Sequence, residues 1–154
     1  GEGLVKLAVL ERHHASGHIG LGILRGLPIQ GGALASTVGH DSHNLIVAGD
    51  NDPDMLAAID ALEECGGGYV AVSGGKVLAR LALPVAGLMS DAPLAAIIAR
   101  QQELLSAAAQ LGVSGASDPF ITLSFLALPV IPDVRLTDLG VFDVNRMQFI
   151  HRPA

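Results

Sequence analysis

The chain has little of what several functional classes depend on. A single cysteine, Cys65, makes an internal disulfide impossible, the usage expected of a reducing compartment. There is no tryptophan, one tyrosine and four phenylalanines, too few aromatics for a base-stacking platform. Basic residues are also scarce, nine Lys and Arg against fifteen Asp and Glu, for a formal net charge of −6. The two short clusters with cationic capacity, Arg12-His13-His14 and His151-Arg152, make no basic stripe, so nucleic acid is not an expected partner. The longest apolar stretches, Leu81–Met89 and Phe120–Pro132, contain proline and fall short of the roughly 18–20 residues of a membrane span. The opening Gly1-Glu2-Gly3-Leu4-Val5-Lys6 lacks the basic-then-apolar order of a secretory signal. A soluble, cytoplasmic protein without membrane contact is expected. At 154 residues the chain is also too short for a (β/α)8 barrel, which needs about 200–250, and residues 1–154 read as one domain.

What is present is apolar and small. Half the residues are hydrophobic and the mean hydropathy is +0.49. Only 16% are charged, against roughly 25% in an average soluble domain. Ala, Val, Leu and Ile must therefore fill the core, and the excess points to a face covered by another domain or chain. Nineteen glycines and eight prolines imply many tight turns.

Two helices are well signalled. Asn51 or Asp52 can cap the first, with Pro53 at its first position, and Met55, Leu56, Ile59 and Leu62 form its apolar stripe before Gly66-Gly67-Gly68 ends it. Ser90 or Asp91 can cap the second, with Pro93 near its start. Leu94, Ile97, Ile98, Leu104, Leu105, Ala108 and Leu111 then share one face, and Gly112 stops the helix. Strands are expected over Leu4–Glu11, Ala33–Val38, Leu45–Ala48, Tyr69–Ser73, Val77–Leu83 and Ile121–Leu128. Gly74-Gly75 joins two of them as a hairpin, and Phe142–Asp143 with Met147–His151 suggest a final short pair. This order, without strict β-α-β alternation, predicts an α/β or α+β layered domain with a mixed β-sheet and two main helices packed on it.

The polar residues gather in two segments, Glu11-Arg12-His13-His14-Ala15-Ser16-Gly17-His18 and Gly39-His40-Asp41-Ser42-His43-Asn44, which hold five of the six histidines. Loops at strand ends are where α/β folds place ligand contacts. His40, Asp41 and His43 supply the nitrogen and carboxylate donors that Zn, Fe or Mn accept, although His-x-x-His in a loop more often marks hydrogen-bonded polar groups. Gly17-x-x-Gly20-x-Gly22 lacks the order of a dinucleotide fingerprint. Ser36, Ser42 and Ser124 lack a nucleophile elbow, and Cys65 reads as a small core residue. Asp50, Asp52 and Asp54 have the spacing of a calcium loop, but with Pro53 among them and no glycine at the sixth position, helix capping is the better account. Asp118-Pro119-Phe120 and Asp133 read as turn and capping residues.

Several blocks go further together. Glu11-Arg12-His13-His14…Gly17-x-Ile19-Gly20-Leu21-Gly22, Ala35-Ser36-Thr37-Val38-Gly39-His40-Asp41-Ser42-His43-Asn44, Gly66-Gly67-Gly68, Leu83-Pro84-Val85-Ala86-Gly87-Leu88-Met89-Ser90 and Asp118-Pro119-Phe120-x-Thr122-Leu123-Ser124-Phe125-Leu126-Ala127-Leu128-Pro129-Val130-Ile131-Pro132 resemble the C-terminal domain of bacterial-type adenine deaminases. The resemblance runs from about Val5 to Phe149, with one departure: Ala15-Ser16-Gly17-His18 stands where the family usually has Gly-Thr-Gly-Asn. It implies conversion of adenine and water to hypoxanthine and ammonia by a hydroxide on Mn, Fe or Zn. That metal lies in an amidohydrolase barrel preceding this domain, so this segment is expected to be inactive alone. On the first of three readings, Glu11, Arg12, His13, His14, His40, Asp41, Ser42, His43 and Asn44 face the barrel or the substrate and close the site. The second is a structural or oligomerisation module, a homo-oligomer being expected. The third is an independent metal- or ligand-binding domain that uses the two histidine clusters, with His40, Asp41 and His43 as the metal ligands.

Overall fold

The computed structural model describes residues 3–115 and 117–150. Two sheets and three helices make an α+β domain. The strands are β1 (Leu4–Leu10), β2 (Ile19–Arg25), β3 (Ala33–Ser36), β4 (Leu45–Gly49), β5 (Gly68–Ser73), β6 (Lys76–Ala82), β7 (Val134–Thr137), β8 (Gly140–Asp143) and β9 (Gln148–Phe149), and the helices are α1 (Asp52–Glu64), α2 (Leu94–Gln110) and α3 (Pro119–Leu126). The main sheet has six strands in the order β2-β1-β4-β3-β5-β6, and β7-β8-β9 form a second, smaller sheet. Every ladder is antiparallel.

The central strands are buried on both faces, so they read as continuous apolar runs, and the pleat divides them between two cores. Val5, Leu7, Val9, Leu34, Ile46, Ala48, Ala71, Ala79 and Leu81 point to one side. Ala8, Ala33, Ala35, Leu45, Val47, Val70 and Val72 point to the other. The first side is fully roofed: β7 and β8 lie over β2, α3 over β3 and β4, and α2 over β5 and β6. The second carries α1 alone, which packs mainly over β3 to β6 through Met55, Ala58, Ala61 and Leu62.

Local chemistry explains the elements. The Asn51 side chain accepts from the Asp54 amide and Pro53 sits in the first turn of α1. Asp50 accepts from the Gly31 and Gly32 amides, Asp52 pairs with Lys6 at 2.7 Å, and buried Asp54 accepts from Gly75. The three aspartates thus serve three different partners, as capping and loop-pinning groups do. The Gly74-Gly75 hairpin forms as expected between β5 and β6, and Phe142 pairs with Phe149 across β8 and β9. His151, at the end of the expected last strand, lies outside the described residues.

Four expectations are corrected. Ile121–Leu128 is not a strand; α3 occupies Pro119–Leu126, because the Asp118 carboxylate accepts from the Phe120 and Ile121 amides and Pro119 occupies the first turn, a start signal that outweighs β-propensity. The second helix starts after Pro93 rather than at Ser90 or Asp91, and the Ser90 hydroxyl instead accepts from Ala92 within the preceding turn. Its apolar residues also split into two stripes at 3.6 residues per turn. Ile97, Leu104, Ala108 and Leu111 pack inward, whereas Leu94, Ile98 and Leu105 are exposed. Finally, β2 and β7 were not foreseen. Gly20 and Gly22 dilute the alternation of β2, and they are there because β7 crosses against them. A Cβ on Gly20 would lie 1.8 Å from the Thr137 carbonyl oxygen, and one on Gly22 would touch Leu136.

Candidate functional site

The ends of β1 and β3, the start of β4 and the 84–90 turn meet at one end of the main sheet. Here the two histidine-rich segments are laced together through backbone carbonyls. Glu11 organises the first. Its carboxylate accepts from the amides of His13, His14 and Ser16 and from the Ser16 hydroxyl, and its own amide closes the loop on the His18 carbonyl at 3.1 Å. The backbone bond from Ser16, reinforced by those from His13 and His14 and opposed by desolvation, holds the Glu11 pKa down at about 2. The loop is therefore built on an ionised carboxylate at any ordinary pH.

Arg12 joins this loop to the others. Its Nε donates to the His43 carbonyl at 2.7 Å and its Nη2 to the Ala86 carbonyl at 2.8 Å. The fixed fork of a guanidinium allows two such divergent bonds. His13 Nε2 donates to the Ser42 carbonyl at 2.8 Å, while His14 projects into solvent beside Glu11. In the second segment the Ser42 amide donates to the His40 carbonyl, the His40 ring lies on Phe125 with centroids 4.3 Å apart, and His43 Nδ1 accepts from the Gly39 amide at 3.3 Å. Asp41 and Ser42 are exposed and Asn44 is buried.

The structure therefore brings Glu11, Arg12, His13, Ser42 and His43 into one network. It turns His40 toward α3 and leaves Asp41 in solvent. The donor set does not fit a metal: one nitrogen of His43 is committed to Gly39, the His40 ring is stacked, and among the described residues no group of three or more His, Cys, Asp or Glu is placed to hold an ion.

Three contributors escaped sequence reading. Asp138, in the turn between β7 and β8, accepts from Asn44 Nδ2 at 3.1 Å and lies 3.8 Å from His18 Nδ1. Buried Thr37 donates to the Gly87 carbonyl and accepts from the Gly68 amide, both at 2.7 Å. Ala86 contributes only its carbonyl. Ala86 and Thr37 lie in two blocks that carried the resemblance, Leu83–Ser90 and Ala35–Asn44, but Ala86 has no polar side chain and nothing local marked Thr37.

The backbone here is also unusual. Ala15, Asp41, His43 and Ala86 adopt left-handed conformations with φ of 51°, 69°, 50° and 58°. Of the five non-glycine residues with positive φ among the described residues, only Met147 lies elsewhere.

Residues 1–148 match the family described as the adenine deaminase C-terminal domain. The chain belongs to that family. It is 57% identical over 150 residues to an adenine deaminase of Nitratidesulfovibrio vulgaris, covering 97% of this chain and 26% of that protein. An adenine deaminase of Bacillus licheniformis is 52% identical over 147 residues, and an adenine deaminase 2 of Carboxydothermus hydrogenoformans 50% over 147; each match covers 96% of this chain and 26% of the relative. This adenine deaminase C-terminal domain thus spans about a quarter of the length of the curated relatives it matches. No helix among its described residues is long and apolar enough to cross a membrane.

Proposed function

We propose that the domain works within an adenine deaminase polypeptide, where the loops 11–18, 39–44 and 84–90 form a wall of the active site that converts adenine and water to hypoxanthine and ammonia. The chemistry of an activated water would come from a metal ion, Mn, Fe or Zn, in the amidohydrolase barrel of that polypeptide, because a bound cation lowers the pKa of water. Among the described residues no group of three or more His, Cys, Asp or Glu is placed to hold an ion, and the loops serve a different purpose. They position polar groups and exclude water from the reacting centre.

The clustering of left-handed residues carries this reading. A non-glycine residue in that region is strained by roughly 1 kcal/mol or more, and such strain persists where surrounding structure over-determines it, characteristically at ligand clamps. Here Arg12 and His13 do the over-determining, by gripping the carbonyls of Ser42, His43 and Ala86. The exposed Asp41 side chain and the His43 ring are the groups this frame presents. The names of the relatives supply the substrate.

The test uses a chimera in which this chain replaces the corresponding segment of the N. vulgaris enzyme. His43→Ala and Asp41→Ala are each expected to lower kcat/KM for adenine about tenfold or more, as loss of a positioning contact does, with metal content unchanged. Unaltered kcat/KM in both variants refutes the wall.

A further inference from the structure

The two faces of the main sheet are covered unequally, and the difference is greatest at β2 and the start of β1. On one face β7 and β8 roof these strands; on the other α1 ends its coverage at β3 and β4. The antiparallel register places Leu4, Lys6, Ala8 and Leu10 of β1 opposite Arg25, Ile23, Leu21 and Ile19 of β2 on that second face. Ile19, Leu21 and Ile23 are 54%, 71% and 69% exposed, and Leu4 is 52% exposed. Leu56 of α1, 60% exposed, lies one turn beyond Asp52, which pairs with Lys6, so it borders the same patch. A groove of about 410 Å³ runs between α1 and the end of β1, with Leu10, Leu45, Ile59 and Leu62 in its lining.

A sheet face of this composition needs a covering layer, and a contiguous exposed apolar patch marks an interface. The edges of the sheet sharpen the point. At β6 the chain carries Lys76 and Arg80, and the β5–β6 ladder is irregular at Ala71/Val72, devices that discourage further pairing. At β2, which pairs on one side only, Ile19 to Leu24 carry no charge, and the register with β1 is unbroken.

We propose that this bare face of β2 and the first residues of β1, with the groove beside α1, is the seat for the remaining three quarters of the adenine deaminase polypeptide, and that Ile19, Leu21 and Ile23 are its anchors. Two observations select that occupant. The relatives carry about three times this length of additional chain, so a large partner surface exists in the same molecule. The patch is also continuous with the candidate site, since Ile19 directly follows the 11–18 loop that Glu11 builds. A body seated on β2 is thereby brought against the polar loops. A second copy of this domain pairing through its β2 edge leaves the face of the sheet uncovered, because strand addition satisfies the edge and not the face. The inference rests on the reading that the domain works within such a polypeptide.

Hydrogen exchange on the full-length chimera tests it, comparing the parent with a Leu21→Asp/Ile23→Asp variant. In the parent the β2 amides that bond to β1 should exchange slowly and independently of dilution. In the variant they should exchange about tenfold faster or more, while β3, β4 and β5 keep their protection and show the domain still folded. Rapid exchange of β2 in the parent, or no change in the variant, overturns the proposal. Protection that vanishes as the chimera dissociates on dilution also overturns it, in favour of a second copy. The site reading is scored separately: His43→Ala lowers kcat/KM and leaves β2 protection intact if both readings hold. Unchanged kcat/KM with β2 still protected removes the wall and keeps the seat.

Discussion

Gly68→Ala is expected to destabilise the domain by about 4 kcal/mol or more, in the range that only a few mechanisms reach. Gly68 opens β5 with φ of +135°, and a Cβ there would lie 2.0 Å from the Leu81 carbonyl oxygen across the β5–β6 ladder. Both partners are backbone, so no side chain can rotate away. The same residue donates its amide to Thr37 and accepts from the Thr37 amide at 3.0 Å, so relief by moving β5 breaks the tie that holds the 84–90 turn. For a chain of this size the midpoint of thermal unfolding should fall by roughly 8–16 °C, at about 2–4 °C per kcal/mol. Gly74→Ala is the internal control. Gly74 also has positive φ, +57°, but a Cβ there meets nothing within 4 Å, leaving only local strain of about 1–2 kcal/mol. Urea unfolding of the two variants should separate them clearly; equal losses would mean that backbone crowding at Gly68 is not what matters.

Arg12→Met is expected to lower kcat/KM of the chimera about 100-fold, the scale of a misplacement near 1 Å. Methionine keeps most of the apolar stem, so packing changes little, but both donors are lost. The bonds to His43 and Ala86 are what hold two loops against the first. Hydrogen bonds from a charged donor contribute about 1.5–3 kcal/mol each, and partial exposure of this pair places their joint contribution near the lower figure. Arg12→Lys should rescue poorly, because a single ammonium on a flexible stem does not reproduce two divergent bonds held in a plane. The measurement is steady-state ammonia release with urea unfolding in parallel. Activity that survives in Arg12→Met with unchanged stability would show that the loops hold their places without this side chain.

These two residues also illustrate how much the amino-acid order reveals. The elements read most easily were those whose signals are local. Asn51 and Pro53 begin α1, Gly74-Gly75 turns β5 into β6, and Phe142 and Phe149 mark the last pair. The misread elements were those decided by a distant neighbour or by one capping side chain. The glycines of β2 make sense only once β7 lies across them, and Ile121–Leu126 became a helix because Asp118 satisfies its first amides. At the site the two histidine-rich segments were visible as clusters, and Arg12 and His13 do meet Ser42 and His43. The other half of the network was invisible because its acceptors are main-chain carbonyls, at Ser42, His43, Ala86 and Gly87, which any residue type can provide. Thr37 and Asp138 act over separations of 50 and 94 residues, toward Gly87 and Asn44 respectively, beyond the reach of spacing arguments.

We propose that this domain completes a catalytic polypeptide and does not itself carry the reaction. The most direct measurement mixes the 154-residue chain with the separately expressed remainder of the N. vulgaris enzyme and follows ammonia release from adenine. Turnover well above that of either part alone is the predicted result. Ammonia release by this chain alone, or a mixture no more active than the remainder by itself, would contradict it.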